Sequence, residues 1–338
     1  MLPPKHSLIH AVPAAVTLLL LLLCSGCSSS MRDKETSYDL STERIRKDTE
    51  YLCDTIGVRT AGTAGETAAC DWIFEALQSS GFSPESGPAS PSGIPTLRRV
   101  SFDGFRGTKS ENVIAVCNPG SDGPLFSITA HYDSVETSPG ARDNGASVAV
   151  LLEIARFLGP ENPDFPCEIR MVFPGSEENG YHGSSAYVSS LSEEEKSRHL
   201  GAFNMDISAA SPEDQAVLVC YTLGKMQDGV YQEGNFLEPV QGLVASSVAQ
   251  ACKTLYGWGI GGIFHVGESD HVSFHNMGLE AVNVCWRRID HGTPRLPESY
   301  HRQNDTPAGL DYDTARASGR CILEAIHTLS AARQAGQQ

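Results

Sequence analysis

Short apolar runs alternate with segments of helical periodicity along most of this chain, and this alternation limits the folds that it can adopt. Strand-like runs occupy residues 113–117, 125–129, 169–173, 201–205, 216–220 and 281–285, and several are apolar throughout. Helical spacing occurs at 42–52, 65–81, 146–158, 183–190, 239–256 and 313–332. Strands without a polar face need cover on both sides. The sequence therefore predicts an α/β fold, with a mostly parallel, twisted central sheet and helices on both faces.

The charge balance argues against a nucleic-acid partner. The chain of 338 residues carries 41 acidic and 25 basic side chains, a formal charge of -16, whereas binding to phosphate backbones depends on positive charge. A hydrophobic content of 40% fits a packed domain, and no linker-like stretch marks a second one. We predict a single domain over residues 41–338 and no binding to nucleic acid.

The N-terminus has the features of an export signal. Lys5 and His6 precede an apolar run over 11–23, which is short for a membrane-spanning helix, and small residues then lead to Cys27 as in a lipoprotein cleavage box. We predict a signal peptide over 1–26, a lipid on Cys27 that anchors the protein to the membrane, and a polar tether over 27–40. The predicted location is the cell envelope. Because Cys24 stands where that box usually has leucine, plain secretion and a retained apolar anchor are alternatives.

The cysteines outside the signal are predicted to be mostly free thiols. Eight follow Cys27, none in a C-x-x-C pair, and several lie in or beside apolar strand-like runs, where cysteine behaves as a small hydrophobe. An even number in an exported chain also permits disulfides.

Five short segments offer metal-binding or acid–base side chains, and several of them follow predicted strands. The residues concerned are His131, Asp133, Asp143, Glu177, Glu178, Asp206 and His301. Taken singly, such a histidine more often packs, and such a glutamate pair more often forms a solvated turn. Loops that leave the carboxyl ends of parallel strands converge on one crevice, however. Two imidazoles and three carboxylates suit two divalent cations, and Glu177 is left to handle protons.

The order of these motifs resembles the bacterial leucyl aminopeptidase family of co-catalytic di-zinc exopeptidases. The matching pattern is His-x-Asp, Asp-Asn-Gly-Ala, Glu-Glu, Asp, and Tyr-His with a following Asp-Thr. The segment Val58-Arg59-Thr60-Ala61-Gly62 is similar to the N-terminal signature of that family, and Ser269-Asp270-His271 is similar to its Ser-Asp-His segment. The resemblance spans nearly all of the chain after the tether.

This resemblance implies an enzyme with two Zn²⁺ ions that hydrolyses N-terminal residues from peptides with a free N-terminus. It assigns Asp143 as the bridging ligand, His131 and Asp206 to one metal, and Glu178 and His301 to the other. Glu177 would act as the general base on a bridging water, and Asp133 would accept a hydrogen bond from the second nitrogen of His131. Ser269-Asp270-His271 would form a wall of the site, because adjacent residues cannot act as a catalytic triad.

The sequence departs from the family pattern at one position, and it leaves several alternative functions open. Val266 stands where some family members have a tyrosine that supports the oxyanion, so His265, a backbone N–H or the metals would take that role. A related class, the glutaminyl cyclases, has the same ligand order with a single zinc. A non-catalytic binding protein on the same fold is a further alternative, and within the hydrolases a carboxypeptidase-like or dipeptidase activity is open.

Overall fold

A ten-stranded sheet forms the centre of the protein. The computed structural model describes residues 38–85, 94–159, 165–223 and 242–336. The strands are β1 (Ser83–Pro84), β2 (Thr96–Asp103), β3 (Lys109–Cys117), β4 (Leu125–Thr129), β5 (Glu168–Phe173), β6 (His199–Met205), β7 (Val217–Thr222), β8 (Ile263–His265), β9 (Ala281–Asp290) and β10 (Thr293–Arg295). Their spatial order is β1-β2-β3-β5-β4-β6-β9-β7-β8, and β10 pairs with β9.

The sheet is parallel at its centre, antiparallel on either side of that centre, and parallel again in the outermost pairs β1–β2 and β7–β8. Strand β4 pairs in parallel with β5 and β6, and β6 pairs in parallel with β9. The pairs β2–β3, β3–β5 and β7–β9 are antiparallel. The sequence pattern does not predict β2, whose positions are partly exposed and which joins β3 through a short connection, as only antiparallel neighbours can. The sheet is thus mixed, and the mostly parallel prediction holds for its central strands.

Helices cover both faces, as predicted. They are α1 (Thr42–Glu50), α2 (Ala64–Ser79), α3 (Ala146–Leu158), α4 (His182–Ser189), α5 (Glu193–Arg198), α6 (Leu243–Tyr256), α7 (His271–Asn276) and α8 (Tyr312–Ala335). The predicted helix over 239–256 corresponds to α6, and its predicted start at Pro239 lies outside the described residues. Side chains cap several N-termini: Thr63 accepts a backbone N–H at the start of α2, and Asp311 does so for α8.

Two apolar layers hold these helices to the sheet. On one face α3, which is buried on almost every side, packs in a large core with α1, α6 and α8. On the other face Tyr187 of α4 and Phe274 of α7 pack against Val172 of β5. Strands β4 and β5 are buried at every position, which explains why their sequences lack a polar alternation.

The eight cysteines after the tether are buried free thiols, in agreement with the sequence prediction. The sulfur atoms of Cys252 and Cys321 lie 3.0 Å apart between α6 and α8. Within the described ranges, no helix is both long and apolar enough to cross a membrane. The predicted signal peptide, Cys27 and almost all of the tether lie outside those ranges.

Candidate metal centre

The carboxyl ends of three parallel strands meet at one edge of the sheet, where the candidate ligands lie. His131 follows β4, Glu177 and Glu178 follow β5, and Asp206 follows β6. The two remaining ligands precede helices: Asp143 lies before α3 and His301 before α8. Since β4, β5 and β6 run in the same direction, the loops after them come together at a single crevice. The fold thus brings together side chains that are far apart in the sequence.

His131 is buried and faces several carboxylates. Its Nε2 atom lies 3.4 Å from Asp143 Oδ1 and 3.8 Å from Asp206 Oδ1. The same nitrogen lies 3.9 Å from Glu177 Oε2, and His131, Glu177 and Asp206 each offer a ligand atom within 4.8 Å of the others. Glu177, the predicted base, is therefore nearly as close to His131 as the predicted ligand Asp206 is, and the distances to His131 are nearly the same for a base and for a ligand.

His301 approaches the other oxygen of the same aspartate. Its Nε2 atom lies 3.3 Å from Asp143 Oδ2 and 3.0 Å from Glu178 Oε2. A second group of ligand atoms, from His131, Asp143 and Glu178, also lies within 4.8 Å. Asp143 thus turns one oxygen towards each histidine, which is the arrangement that a carboxylate shared by two cations needs.

Several of these atoms lack partners. Four buried potential ligand atoms have no hydrogen bond within the described structure, namely His131 Nε2, Glu178 Oε1, Asp206 Oδ1 and His301 Nε2. Buried polar atoms are normally paired, and an unpaired one costs about 1–3 kcal/mol. Imidazole and carboxylate donors without sulfur suit a divalent ion such as Zn²⁺. The residues present therefore fit a metal site.

Asp133 links two of the loops. Its Oδ1 and Oδ2 atoms accept the backbone N–H groups of Glu177 and Glu178 at 3.0 and 3.1 Å. The predicted contact with His131 is longer, with Nδ1 3.5 Å from Asp133 Oδ1 and 3.3 Å from its carbonyl oxygen. Either oxygen can accept the Nδ1 proton, which leaves Nε2 free for a metal. Asp133 therefore fixes the backbone of the glutamate pair as well as the histidine.

Burial controls the protonation of the acidic groups. It raises the pKa of Glu177 well above its usual value, and the nearby charges of Asp270 and Asp206 raise it further. Burial also raises the pKa of Glu178 to about 7. Burial has the same tendency for Asp143, but the two histidines beside it, His131 and His301, lower the pKa of that group below its usual value. A raised pKa makes a glutamate such as Glu177 a stronger proton acceptor, as a general base requires.

Arg59 supports the loop that joins two of the ligands. Its buried side chain donates hydrogen bonds to five backbone carbonyls, including Tyr132 at 2.7 Å, Pro139 at 2.7 Å and Gly140 at 3.0 Å. Gly140 has a φ of 61°, and a Cβ atom there would lie 2.5 Å from the Asp143 carbonyl oxygen, so glycine suits this close approach. The sequence motif around Arg59 indicated a family signature but not this role.

Glu66 supports the glutamate loop in a similar way. Its Oε1 atom accepts the Ser110 hydroxyl at 2.6 Å and the Ser176 N–H at 3.2 Å. Its Oε2 atom accepts the Gly62 N–H at 2.6 Å. The sequence gives no sign of this role of Glu66, because a glutamate in the first turn of a helix usually stabilises only that helix.

Asp305 and Asn144 position two further ligands. The Asp305 carboxylate accepts the N–H of Arg142 at 2.9 Å and of Asp143 at 3.1 Å. The Asn144 side chain donates to the Met205 carbonyl at 2.8 Å and accepts the Ile207 N–H at 3.2 Å. The two bonds of Asn144 hold the backbone on both sides of Asp206. Both residues belong to the sequence motifs, but spacing alone does not reveal these bonds.

An open cavity of about 370 Å³ leads to the site, and aromatic side chains form part of its wall. Tyr300 stacks on His301 with ring centroids 3.7 Å apart. Burial and the nearby carboxylates raise the pKa of Tyr300, so its phenol stays protonated. Of the predicted wall Ser269-Asp270-His271, Ser269 lines the cavity, whereas Asp270, His271 and also His265 are not among the described residues that line it.

Comparison with known proteins agrees with this geometry. Residues 112–326 match the model of peptidase family M28, which is more than half of the chain. The chain belongs to peptidase family M28. This M28 chain is 32% identical to aminopeptidase YwaD of Bacillus subtilis (strain 168) over 225 residues, which are 66% of the chain and 45% of YwaD. It therefore spans less than half the length of that relative. The family resemblance predicted from the motifs is confirmed.

Solved structures support the fold of this M28 chain. The zinc aminopeptidase BSAP from Bacillus subtilis superposes with a TM-score of 0.69 at 20% identity, covering 87% of this chain and 96% of BSAP. The glutaminyl cyclase of Porphyromonas gingivalis gives a TM-score of 0.64 at 20% identity and covers 86% and 99% of the two chains. These likenesses confirm the predicted α/β fold class.

Proposed function

We propose that the protein is a zinc-dependent aminopeptidase that removes N-terminal residues from peptides. The observation that carries this proposal is the convergence of five nitrogen and oxygen ligands on an open cavity, with Glu177 beside them. Membership of peptidase family M28 and the similarity to aminopeptidase YwaD support it.

Two Zn²⁺ ions fit the ligand arrangement. His131, Asp143 and Asp206 would hold one ion, and Asp143, Glu178 and His301 would hold the other. The support for a count of two is that Asp143 presents a different oxygen to each histidine. When bound, such ions acidify a water molecule and polarise the scissile carbonyl.

The side chains of the site have distinct tasks in the proposed hydrolysis. Glu177 accepts a proton from the water whose oxygen attacks the carbonyl carbon, and it returns that proton to the amine as the C–N bond breaks. Asp133 holds the backbone of Glu177 in place. The protonated phenol of Tyr300 is available to donate a hydrogen bond to the carbonyl oxygen as negative charge develops on it. We thus propose Tyr300 for the role for which the sequence suggested His265, a backbone N–H or the metals.

The charge of the cavity favours a substrate with a free amino group. Glu177 and Glu268 line the cavity and are not assigned to a metal, so they can attract a cationic N-terminus, and an acylated one loses that attraction. We therefore expect N-acetylated peptides to be poor substrates.

Glutaminyl cyclisation is the second candidate, because the fold is also that of a glutaminyl cyclase. A cyclase would use one zinc and convert N-terminal glutamine without adding water. A non-catalytic binding protein is a weaker candidate, since all five proposed ligands and the base are present, and all of them except the buried His131 line one cavity.

The test is an assay of purified protein on leucyl, N-acetyl-leucyl and glutaminyl anilides and peptides, with the bound metal counted in the same samples. We expect hydrolysis of the free leucyl substrate, loss of turnover on chelation, and recovery with two zinc ions per chain. Turnover that survives exhaustive chelation would contradict the metal mechanism. Formation of pyroglutamate by protein with one zinc would favour the cyclase.

We also propose that the protein is exported and held at the cell envelope by a lipid on Cys27. The support is the sequence of residues 1–27, in which a basic start, a short apolar run and small residues precede that cysteine.

A further inference from the structure

Arg287 is a buried cation in the wall of the cavity. It lies on β9 with the alternation that places Asn283, Cys285 and Arg287 on one face of the sheet. Arg287 is only 3% exposed, yet it lines the cavity together with Asn283, Tyr221 and Asp206. The guanidinium thus lies where a peptide bound at the metal centre would extend.

The contacts of this guanidinium are with neutral groups. One terminal nitrogen donates to the Trp286 carbonyl at 3.2 Å, and the central carbon lies 5.4 Å from the centroid of the Tyr221 ring. The Nε atom is buried and has no hydrogen-bond partner among the residues that the structure describes. Across residues 38–85, 94–159, 165–223 and 242–336, no carboxylate pairs with Arg287 within 4 Å, and the charge of Asp206, a proposed metal ligand, acts on the guanidinium from a longer distance.

Other buried arginines are satisfied differently. Arg170 pairs with Glu168 at 2.7 Å, Arg142 pairs with Asp214, and Arg59 is surrounded by five carbonyl acceptors. A buried charge without such partners is costly, so a cation left in this state inside a cavity indicates a ligand that completes it.

We propose that Arg287 binds a carboxylate of the peptide substrate, so that this site selects acidic substrates. The inference rests on the proposed aminopeptidase function, in which Asp206 is committed to a metal and leaves the guanidinium free. Arginine binds carboxylates through two parallel hydrogen bonds. Glu268 also lines the cavity, but it is exposed, so solvent screens its repulsion.

The size of the cavity limits where the carboxylate can be. A volume of about 370 Å³ is near the lower end of the ~300–1,000 Å³ typical of ligand sites, so the space suits one or two residues. The carboxylate is therefore either the side chain of an N-terminal glutamate or aspartate, or the C-terminus of a dipeptide. Both sources offer the same chemistry, and two substrate pairs distinguish them.

The experiment compares kcat/KM of the zinc-loaded enzyme on matched substrates. Glutamyl and glutaminyl anilides differ in a side-chain carboxylate, and leucyl-leucine and its amide differ in a C-terminal carboxylate. The variants are Arg287→Met, Arg287→Lys and, as a control, Arg288→Met. Arg288 is its exposed neighbour on the same strand, so this control removes the same charge outside the cavity.

We expect wild type to prefer the carboxylate member of at least one pair. Arg287→Met should reduce that preference by about tenfold or more, and Arg287→Lys should reduce it less because the charge remains. Arg288→Met should keep the wild-type ratio. The pair whose ratio falls identifies the source of the carboxylate.

Two results would overturn the role of Arg287: unchanged ratios in both pairs, or an equal loss on all four substrates, which would indicate a structural or oxyanion role. If Arg287→Met does not fold, the Arg287→Lys ratio decides. Enzyme that hydrolyses the substrates with unchanged ratios refutes only this inference, whereas loaded enzyme that hydrolyses none of the four refutes the proposed function.

Discussion

The carboxylate of Asp305 accepts the backbone N–H of Asp143 at 3.1 Å. Residue 305 lies in the loop before α8 and residue 143 in the turn before α3, so this bond joins two distant segments at the centre of the proposed metal site. The other Asp305 oxygen accepts the adjacent Arg142 N–H at 2.9 Å. The main chain of the proposed bridging ligand is therefore held in place independently of any bound metal.

Asp305→Asn should weaken metal binding without removing a ligand. An amide has one acceptor oxygen and places an NH₂ group against one of the two backbone N–H donors. We expect zinc affinity to fall by about 10–100-fold, as for other groups that orient ligands, with activity restored by excess zinc. Competitive titration with a zinc chelator measures this, and Asp122→Asn, at an exposed position, is the control. Equal affinity in the two variants would contradict the positioning role.

Glu177 and Glu178 are adjacent, and substitution should separate their tasks. Glu178→Gln removes an anionic ligand, so we expect lower zinc content and lower activity together. Glu177→Gln should retain both metals and cut kcat by ~10²–10⁴-fold, the usual contribution of a general base. Metal analysis and kinetics on the same samples provide the check. Metal loss in Glu177→Gln with full loading of Glu178→Gln would mean that the two assignments are exchanged.

Arg59→Met should destabilise the folded protein. The substitution leaves buried carbonyls, among them Tyr132 and Gly140, without their donors. We expect the free energy of unfolding to fall by about 3 kcal/mol or more, measured by urea denaturation of the zinc-free protein. Arg106→Met, at an exposed arginine, serves as the control, and similar urea midpoints for both variants would refute the role of Arg59.

His199 should make the fold sensitive to acid. It packs against Ser127 and the ring of Phe274, and burial, with help from the charges of Arg170 and Arg198, lowers its pKa from 6.5 to about 3. Between these values the unfolded chain binds a proton that the folded chain does not, so stability falls as the pH drops below about 6.5.

The expected loss from His199 is at most about 1.4 kcal/mol per pH unit. Urea unfolding at about pH 7.5 and about pH 5 should therefore show a smaller loss, by about 2 kcal/mol, in His199→Gln than in wild type. His291→Gln removes a histidine whose side chain is 95% exposed and should behave as wild type. If all three proteins lose the same stability, the assignment to His199 is wrong.

Cys27→Ala should release the protein from the membrane fraction. The wild type should partition into detergent because a lipoprotein carries several acyl chains, and one chain alone gives only marginal binding. Cys24→Ala is the matched control, since it changes a cysteine three residues earlier and should leave partitioning intact. A soluble exported wild type whose mature N-terminus is not Cys27 would refute the lipid anchor.

The sequence by itself determined the type of fold and the candidate site. Apolar runs without alternation predicted β4 and β5 as strands covered on both faces, and α3 was predicted with its observed bounds, Ala146–Leu158. The candidate ligands could be chosen because their types and order are characteristic and because they stand at strand ends. These are local signals, and a strand or a ligand motif carries them within a few residues.

Only the tertiary structure decided which residues support the candidate ligands and which other side chains lie in the cavity with them. Arg59, Glu66 and Asp305 act through bonds to the main chain of segments remote in the sequence, and such bonds depend on loop paths that no local pattern encodes. The antiparallel pairs β2–β3, β3–β5 and β7–β9 depend likewise on which strands become neighbours in the sheet. In the sequence, Arg287 stands just after an apolar run that predicts a strand. Only the packing of β9 against β7 shows that its charge is buried in the cavity without a carboxylate partner in the described part of the chain.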